Sequence, residues 1–330
     1  MITTEKNWPE YQTTCDGCGN EITFASNQKP GADEYFICDC YEVNAAILNP
    51  VHKYKNQVNR DSETNDLRVN IFQKFSELRM PVTVRQMYYQ LLSYGYPKNE
   101  AFYGRVQRQL LDMRQEGVLP FDFIIDNSRR RIKYQSFTNG SQALERWMHL
   151  YRQDVWDSLN TYCEVWLEKK ALQSIFDEVC YEYDVPLCIS SGFSSESFIW
   201  EGVKAIKSVN KPTVIFYFSD YDPSGIALSD TVNSKLSRFG VKDFQFKRVA
   251  LTQDQIQTYN LPTRPTKQSN HSRGFKGESC ELDALHPRQL VELIRQSITS
   301  LIPEHHMHNI ANEESVQRHT LENVKLLMQA

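Results

Sequence analysis

Thr213–Phe218 reads TVIFYF, and the polar segment Ser219–Gly225 (SDYDPSG) follows it without a gap. Such a run is too short for a core helix and has no alternation that would leave one face wet. It predicts a strand buried on both faces, and strands of that kind belong to parallel sheets with helices on either side. The neighbouring sequence keeps the rhythm. Tyr162–Leu167, Pro186–Ile189 and Phe244–Leu251 read as further strands, and Lys170–Tyr181, Glu196–Val209 and Ser224–Phe239 as the helices between them. The expected fold class is α/β, with a mostly parallel sheet flanked by helices over residues 161–303. Within it, residues 252–285 are turn-rich and polar and Pro287–Ile302 is amphipathic; the 304–330 tail reads as weakly structured.

Ligands of open α/β sheets gather at the carboxyl ends of the strands. Two strands here end in acids: Glu168 follows Leu167, and Asp220 and Asp222 follow Phe218. Along an extended chain Asp220 and Asp222 point the same way. Carboxylates converging at one sheet edge repel one another unless a cation lies between them. Oxygen donors with no cysteine or histidine beside them favour Mg²⁺ or Mn²⁺ over zinc. Each acid alone would be read as a helix N-cap or a loop acid; their combination, two βα units apart, points to a metal site.

Ahead of the sheet, Leu67, Ile71, Phe72, Phe75 and Leu78 recur at helical spacing, and Pro81 ends that helix. Thr83 is suited to cap a second helix that Gly95 and Pro97 stop. A third runs from about Asn99 to Glu116, with Gly117 as its C-cap. Phe121–Asp126 and Arg131–Phe137 alternate like two strands. Three helices and a hairpin over residues 65–138 follow the order of a winged-helix domain, whose third helix enters the major groove of DNA. Arg105 and Arg108 share a face of that helix, and Arg129, Arg130 and Arg131 sit at the hairpin, where phosphates would be met. A further helix over 139–160 bridges to the sheet.

Residues 1–45 hold Cys15 and Cys18 and, after nineteen intervening residues, Cys38 and Cys40. Glu21–Ala25 and Glu34–Ile37 read as short strands joined by the turn-rich Asn27–Gly31 stretch. Four thiolates in two pairs can surround zinc at about 2.3 Å per bond, and the metal replaces a core that so small a unit cannot build. A structural zinc in a small zinc-ribbon-like unit is therefore expected. Residues 46–64, rich in Asn, Lys and Asp, read as a linker.

The acid motifs resemble a known domain. Glu168 in Trp166–Ala171 (WLEKKA), with Asp220–Gly225 (DYDPSG), resembles the Toprim domain of topoisomerases and related nucleases. Within that superfamily the chain is most similar to the A-type, DNA-cleaving subunit of topoisomerase VI and its relatives, the meiotic double-strand-break protein and the compact Mini-A proteins. Thr83–Tyr89 (TVRQMYY) resembles their catalytic-tyrosine segment, and Glu281–Leu285 (ELDAL) a segment that follows the Toprim core. The likeness spans residues 65–300 and leaves out the cysteine-rich unit.

The resemblance implies that Tyr89, preceded by Tyr88, attacks a DNA phosphorus and forms a 5′-phosphotyrosyl link; only the family likeness picks Tyr89 over Tyr88. It implies that Asp220 and Asp222 hold Mg²⁺, that Glu168 ligates it or relays a proton, and that the active unit is a homodimer in which the tyrosine of one protomer meets the metal site of its partner. A phenol with a pKa near 10 is a poor nucleophile; Arg85, one turn before Tyr89 on the same face, would steady its developing charge. A full topoisomerase also needs an ATPase B-type partner. This chain has no Gly-x-x-x-x-Gly-Lys-Ser/Thr motif, so that partner would be encoded elsewhere.

No stretch approaches the roughly 20 apolar residues of a membrane helix, and the polar N-terminus lacks the core of a signal peptide. A cytoplasmic, nucleoid-associated protein with no membrane partner is expected. A net charge of −4 does not announce a partner of double-stranded DNA, so a basic face must be local. Residues 98–135 hold eight basic residues against five acids, and residues 263–277 hold Arg264, Lys267, Arg273 and Lys276 with no acid. Two other readings stay open. One is a Toprim nuclease that hydrolyses DNA without a covalent intermediate; the other is a non-catalytic DNA-binding scaffold with a vestigial site.

Overall fold

A computed structural model of the chain describes residues 8–28, 33–47, 60–127, 132–190, 195–266, 275 and 277–329. They form two compact units, 1–126 with 286–288, and 127–285 with 289–330.

The first unit opens with two antiparallel hairpins. β1 (Glu10–Thr14) pairs with β2 (Glu21–Ala25), and β3 (Asp33–Ile37) with β4 (Val43–Ile47). The two strands expected from sequence are present, but each pairs with a strand that sequence did not suggest. Three helices follow: α1 (Ser62–Leu78), α2 (Val84–Leu91) and α3 (Glu100–Glu116). Their ends are set by local chemistry. Asp61 and Asn99 cap α1 and α3, Thr83 and Gln86 form a reciprocal capping box on α2, and Gly117 closes α3 in the left-handed conformation at φ +81°. Leu67, Ile71, Phe72 and Phe75 of α1 join Met87, Leu91, Val106 and Leu110 in a fully buried core.

The hairpins and helices are joined by a buried ion network. Arg60 bonds Glu34 at 2.7 Å and Glu116 at 2.9 Å, and Arg68 bonds Glu116 at 2.6 Å. Paired charges of this kind fix how the pieces fit, because a lone buried charge costs several kcal/mol. The expected hairpin after α3 is not formed among the described residues. Phe121–Phe123 is a 3₁₀ turn, Ile124 makes an isolated parallel bridge to Val82, and residues 132–137 carry no strand. Ile132 and Tyr134 are 63% and 87% exposed, so the apolar alternation there has no sheet face to cover.

The second unit carries the parallel sheet. β5 (Tyr162–Leu167), β6 (Leu187–Ile189), β7 (Thr213–Phe218) and β8 (Phe244–Ala250) lie in the order β6-β5-β7-β8, all parallel. Every residue of β5 and β7 is buried. After α4 (Gly140–Leu150), the helices α5 (Gln173–Glu182), α6 (Glu196–Val209) and α7 (Pro223–Arg238) form the crossovers. Side chains alternate along a strand, and the contacts follow that alternation. Phe176 of α5 meets Phe218, whereas Gly202 and Phe198 of α6 lie against Trp166, from the opposite face. Both faces are thus covered, as the apolar runs predict.

Two further elements differ from expectation. The bridging helix is shorter than residues 139–160: α4 ends at Leu150, and Tyr151 leaves it with an extended backbone. The tail is a 24-residue helix, numbered α10 (His306–Gln329) after the short α8 (Gln253–Thr258) and α9 (Pro287–Thr299). α10 docks on α4 and the segment after it through polar contacts: Lys325 to Glu145 at 3.0 Å, Arg318 to the Tyr151 carbonyl at 3.0 Å, and the Gln153 N–H to Glu314 at 2.9 Å. A helix held this way needs no apolar stripe, so periodicity does not reveal it. No helix among the described residues is long and apolar enough to cross a membrane.

Candidate functional site

The two acidic segments leave the sheet at the same end. Leu167 pairs with Phe218 across β5 and β7, and the Glu168 N–H donates to the Phe218 carbonyl at 3.0 Å. Glu168 therefore sits beside the turn that carries Asp220 and Asp222. Three features shape that turn. Asp222 is the N-cap of α7, its Oδ1 accepting the Gly225 N–H at 2.7 Å. Gly225 is required on steric grounds, since a Cβ there would overlap the Asp220 carbonyl oxygen and lie 3.4 Å from Glu168 Oε2. Arg248, on β8, donates to that same carbonyl at 2.6 Å.

Asp220 is buried, and its Oδ1 accepts both the Leu282 N–H at 2.8 Å and Lys169 Nζ at 3.0 Å. Lys169 also reaches Glu281 Oε2 at 3.1 Å and Asp283 Oδ2 at 2.5 Å. Arg264 lies 3.4 Å from Glu281 Oε1 and 3.9 Å from Asp222 Oδ2. A bridge between Tyr221 and Cys280 brings the 280–283 segment back to the sheet end. Sequence reasoning points to three acids and misses the roles of Glu281, Asp283, Lys169, Arg248 and Arg264. One signal was available: Glu281 and Asp283 repeat the acid-x-acid spacing of Asp220 and Asp222. Nothing in sequence separates the inward Lys169 from the exposed Lys170.

The electrostatics follow from burial. Desolvation, reinforced by Asp220 and Asp222, lifts the Glu168 carboxyl to about 7. Burial also raises Asp220, against the pull of Lys169. Burial alone would lower Lys169, but Asp283, Asp220 and Glu281 outweigh it and hold the ammonium above its ordinary value. Glu168 Oε2 is buried with no hydrogen-bond partner. An acceptor of that kind beside two further acids suits a hard cation, and the oxygen-only donor set fits Mg²⁺ or Mn²⁺. The acids are brought together but not closed. Among the described residues, only Cys15, Cys18, Cys38 and Cys40 place ligand atoms all within 4.8 Å of one another.

Those cysteines occupy the turns of the two hairpins. Cys15 Sγ lies 3.6 Å from Cys40 Sγ, and Cys18 Sγ 3.4 Å from Cys38 Sγ. A tetrahedron with bonds of about 2.3 Å has edges of about 3.8 Å, so the sulfurs stand nearly as zinc would hold them. Asn44 braces the first turn, accepting the Asp16 N–H at 2.8 Å and donating to Cys15 Sγ at 3.5 Å. Burial opposes ionisation of Cys15, but the N–H groups of Cys18 and Gly17 and the Asn44 amide bring it down to about 6. The chain thus holds a Cys₄ group that can bind a metal, and its donors suit zinc. No protein-family model matches the chain, and no curated protein matches it.

Tyr88 and Tyr89, on α2, are buried, 7% and 6% exposed, with rings edge to face at 5.2 Å. Lys98 Nζ lies over the Tyr89 ring at 5.4 Å, while the Arg85 guanidinium lies over Tyr103, on α3, at 5.4 Å. Arg105 and Arg108 sit on α3 away from its buried face, and Arg105 bonds Glu63 at 3.0 Å. Arg129, Arg130 and Arg131, and with them Lys267, Arg273 and Lys276, lie outside the described residues.

Proposed function

We propose that this chain is a metal-dependent DNA-cleaving enzyme similar to the A-type subunit of topoisomerase VI, with a Toprim-like acidic site and a winged-helix-like helical unit. The observation that carries the reading is the convergence of Glu168, Asp220 and Asp222 at the carboxyl end of two adjacent parallel strands, with Glu168 Oε2 buried and unpartnered. Glu168, Asp222 and Asp220 would hold Mg²⁺ or Mn²⁺, which would neutralise charge on a phosphate. Tyr89 Oη attacks phosphorus, the 3′ oxygen leaves, and the products are a 5′-phosphotyrosyl link and a free 3′ hydroxyl. Without metal the Glu168 carboxyl sits at about 7, so where it does not ligate the ion it is instead suited to pass a proton to the leaving oxygen. Arg105 and Arg108 offer charges to the DNA backbone. The acting species is a homodimer, and strand passage would need an ATPase partner.

The burial of Tyr88 and Tyr89 favours a second reading, in which the acidic site hydrolyses DNA and no tyrosine is used. One experiment separates the two. The protein is incubated with end-labelled supercoiled DNA and Mg²⁺ or Mn²⁺, then denatured. Label on the protein that disappears in Tyr89→Phe supports the tyrosine mechanism. Cut DNA without an adduct, unchanged in Tyr89→Phe and lost in Asp220→Ala, supports hydrolysis. No cutting under any condition leaves a DNA-binding scaffold.

A further inference from the structure

We propose that Lys169 is the resident cation of the acidic pocket and stands where a second divalent ion would have to bind, so that the site takes one metal ion. This rests on the metal-site reading above and narrows it. Five carboxylates meet at this end of the sheet: Glu168, Asp220, Asp222, Glu281 and Asp283. The Lys169 ammonium lies 3.0, 3.1 and 2.5 Å from Asp220, Glu281 and Asp283, whose side chains are 12%, 8% and 0% exposed. Three oxygens from two separate segments around one point is how ligands surround an ion; here the centre is a tethered single charge.

Among the described residues, Lys169, Arg248 and Arg264 are cationic side chains bonded or paired in this cluster. The Lys169 ammonium fills the space between three of the five carboxylates, and a second divalent ion there would meet its charge at close range. Two buried oxygens of the cluster have no hydrogen-bond partner and are not reached by Lys169, Glu168 Oε2 and Asp283 Oδ1, and the first stands beside the turn that carries Asp220 and Asp222. The ion therefore belongs at Glu168, Asp222 and the second oxygen of Asp220. Lys169 is a positioning residue. It holds Asp220 and draws the 281–283 segment onto the site without touching the reacting atoms.

The test counts Mn²⁺ ions bound by the full chain with zinc already loaded, using the electron paramagnetic resonance of free Mn²⁺. The expected count is one, with affinity at least tenfold weaker in Asp222→Asn. Lys169→Arg keeps the count at one. Lys169→Ala opens the space and uncovers three carboxylates, so it binds one ion more than the unaltered protein; Lys169→Met, which fills the space without charge, does not. Two site-bound ions in the unaltered protein overturn the proposal, and that count decides even if Lys169→Ala unfolds. An unchanged count in folded Lys169→Ala also overturns it. Should the unaltered protein bind none while Lys169→Ala binds one, the lysine assignment stands and the metal-dependent cleavage reading falls; none in either sinks both.

Discussion

The cysteine centre and the acidic centre both collect metal-type ligands, yet they are assembled in opposite ways. The cysteines lie within two hairpin turns, separated by 25 positions at most, and bring little besides sulfur and Asn44. The acidic centre draws on residues as far apart as Lys169 and its partner Asp283, 114 positions away, on a sheet end that is already built. An ion at the first centre would hold the turns together. The second is held by the fold at an electrostatic cost, which the raised Glu168 and Asp220 carboxyls record. On the proposed reading, metal would make structure in one region, and in the other structure would stand ready for metal.

The widest gap between the two should appear on removal of a ligand. Binding of a structural zinc is worth on the order of 10 kcal/mol to a small unit. Cys38→Ser is expected to cut zinc content to below about a tenth of one ion per chain and to remove hydrogen-exchange protection from the β1–β2 and β3–β4 amides. The same variant should leave Mn²⁺ binding at the acids unchanged. Retained zinc, or hairpin amides still protected without it, would break the contrast.

Asp222 sharpens it from the other side. The residue caps α7 as well as offering a carboxylate. Asparagine is as good an N-cap as aspartate, so Asp222→Asn keeps the cap and loses the charge. Metal-dependent DNA cleavage should fall at least about 100-fold, while stability stays within about 0.5 kcal/mol. Asp222→Ala loses both and should cost about 1 kcal/mol more. A stability loss equal to that of the alanine variant would mean that the carboxylate serves the fold and not the site.

The same division governs what could be read from sequence. β5 and β7 were legible because burial on both faces leaves uninterrupted apolar runs. The three acids were legible because they terminate those strands. Thr83 announced the start of α2 as a capping residue. What stayed hidden depends on partners. β1 (EYQTT) and β4 (VNAAI) have no strong apolar pattern and exist as the second halves of hairpins. α10 is tied down by scattered polar contacts to residues 145–155. Lys169 and Asp283 meet only because the chain returns through the Tyr221–Cys280 bridge. Periodicity reports burial against a continuous surface; it cannot report a hydrogen bond to a residue far along the chain.

Gly225 offers a smaller test of that built-in geometry. Its missing Cβ leaves space for the Asp220 carbonyl, so Gly225→Ala must push the acid turn aside. Overpacking of this sort costs about 1–3 kcal/mol, and Mn²⁺ affinity should fall with it. Affinity equal to that of the unaltered protein would show that the turn is softer than its contacts imply.

Glu168→Gln has an effect on stability whose sign only the acidic centre predicts. The folded carboxyl sits at about 7, above its ordinary value of 4.5. Between those two values the folded state keeps a proton that the unfolded state has released, so stability without Mg²⁺ or Mn²⁺ falls as pH rises through that window and levels off above it. Each pKa unit is worth about 1.4 kcal/mol, and partial solvent access reduces the whole to about 2 kcal/mol. Glutamine carries no proton to lose. Urea unfolding of the variant should therefore match the unaltered protein near pH 4.5 and exceed it by about 2 kcal/mol at about pH 8, with added Mg²⁺ closing the gap by stabilising only the carboxylate form. A variant less stable at the higher pH would mean that the Glu168 carboxylate is satisfied by the protein itself, and the acidic centre would then resemble the cysteine centre in being complete as folded.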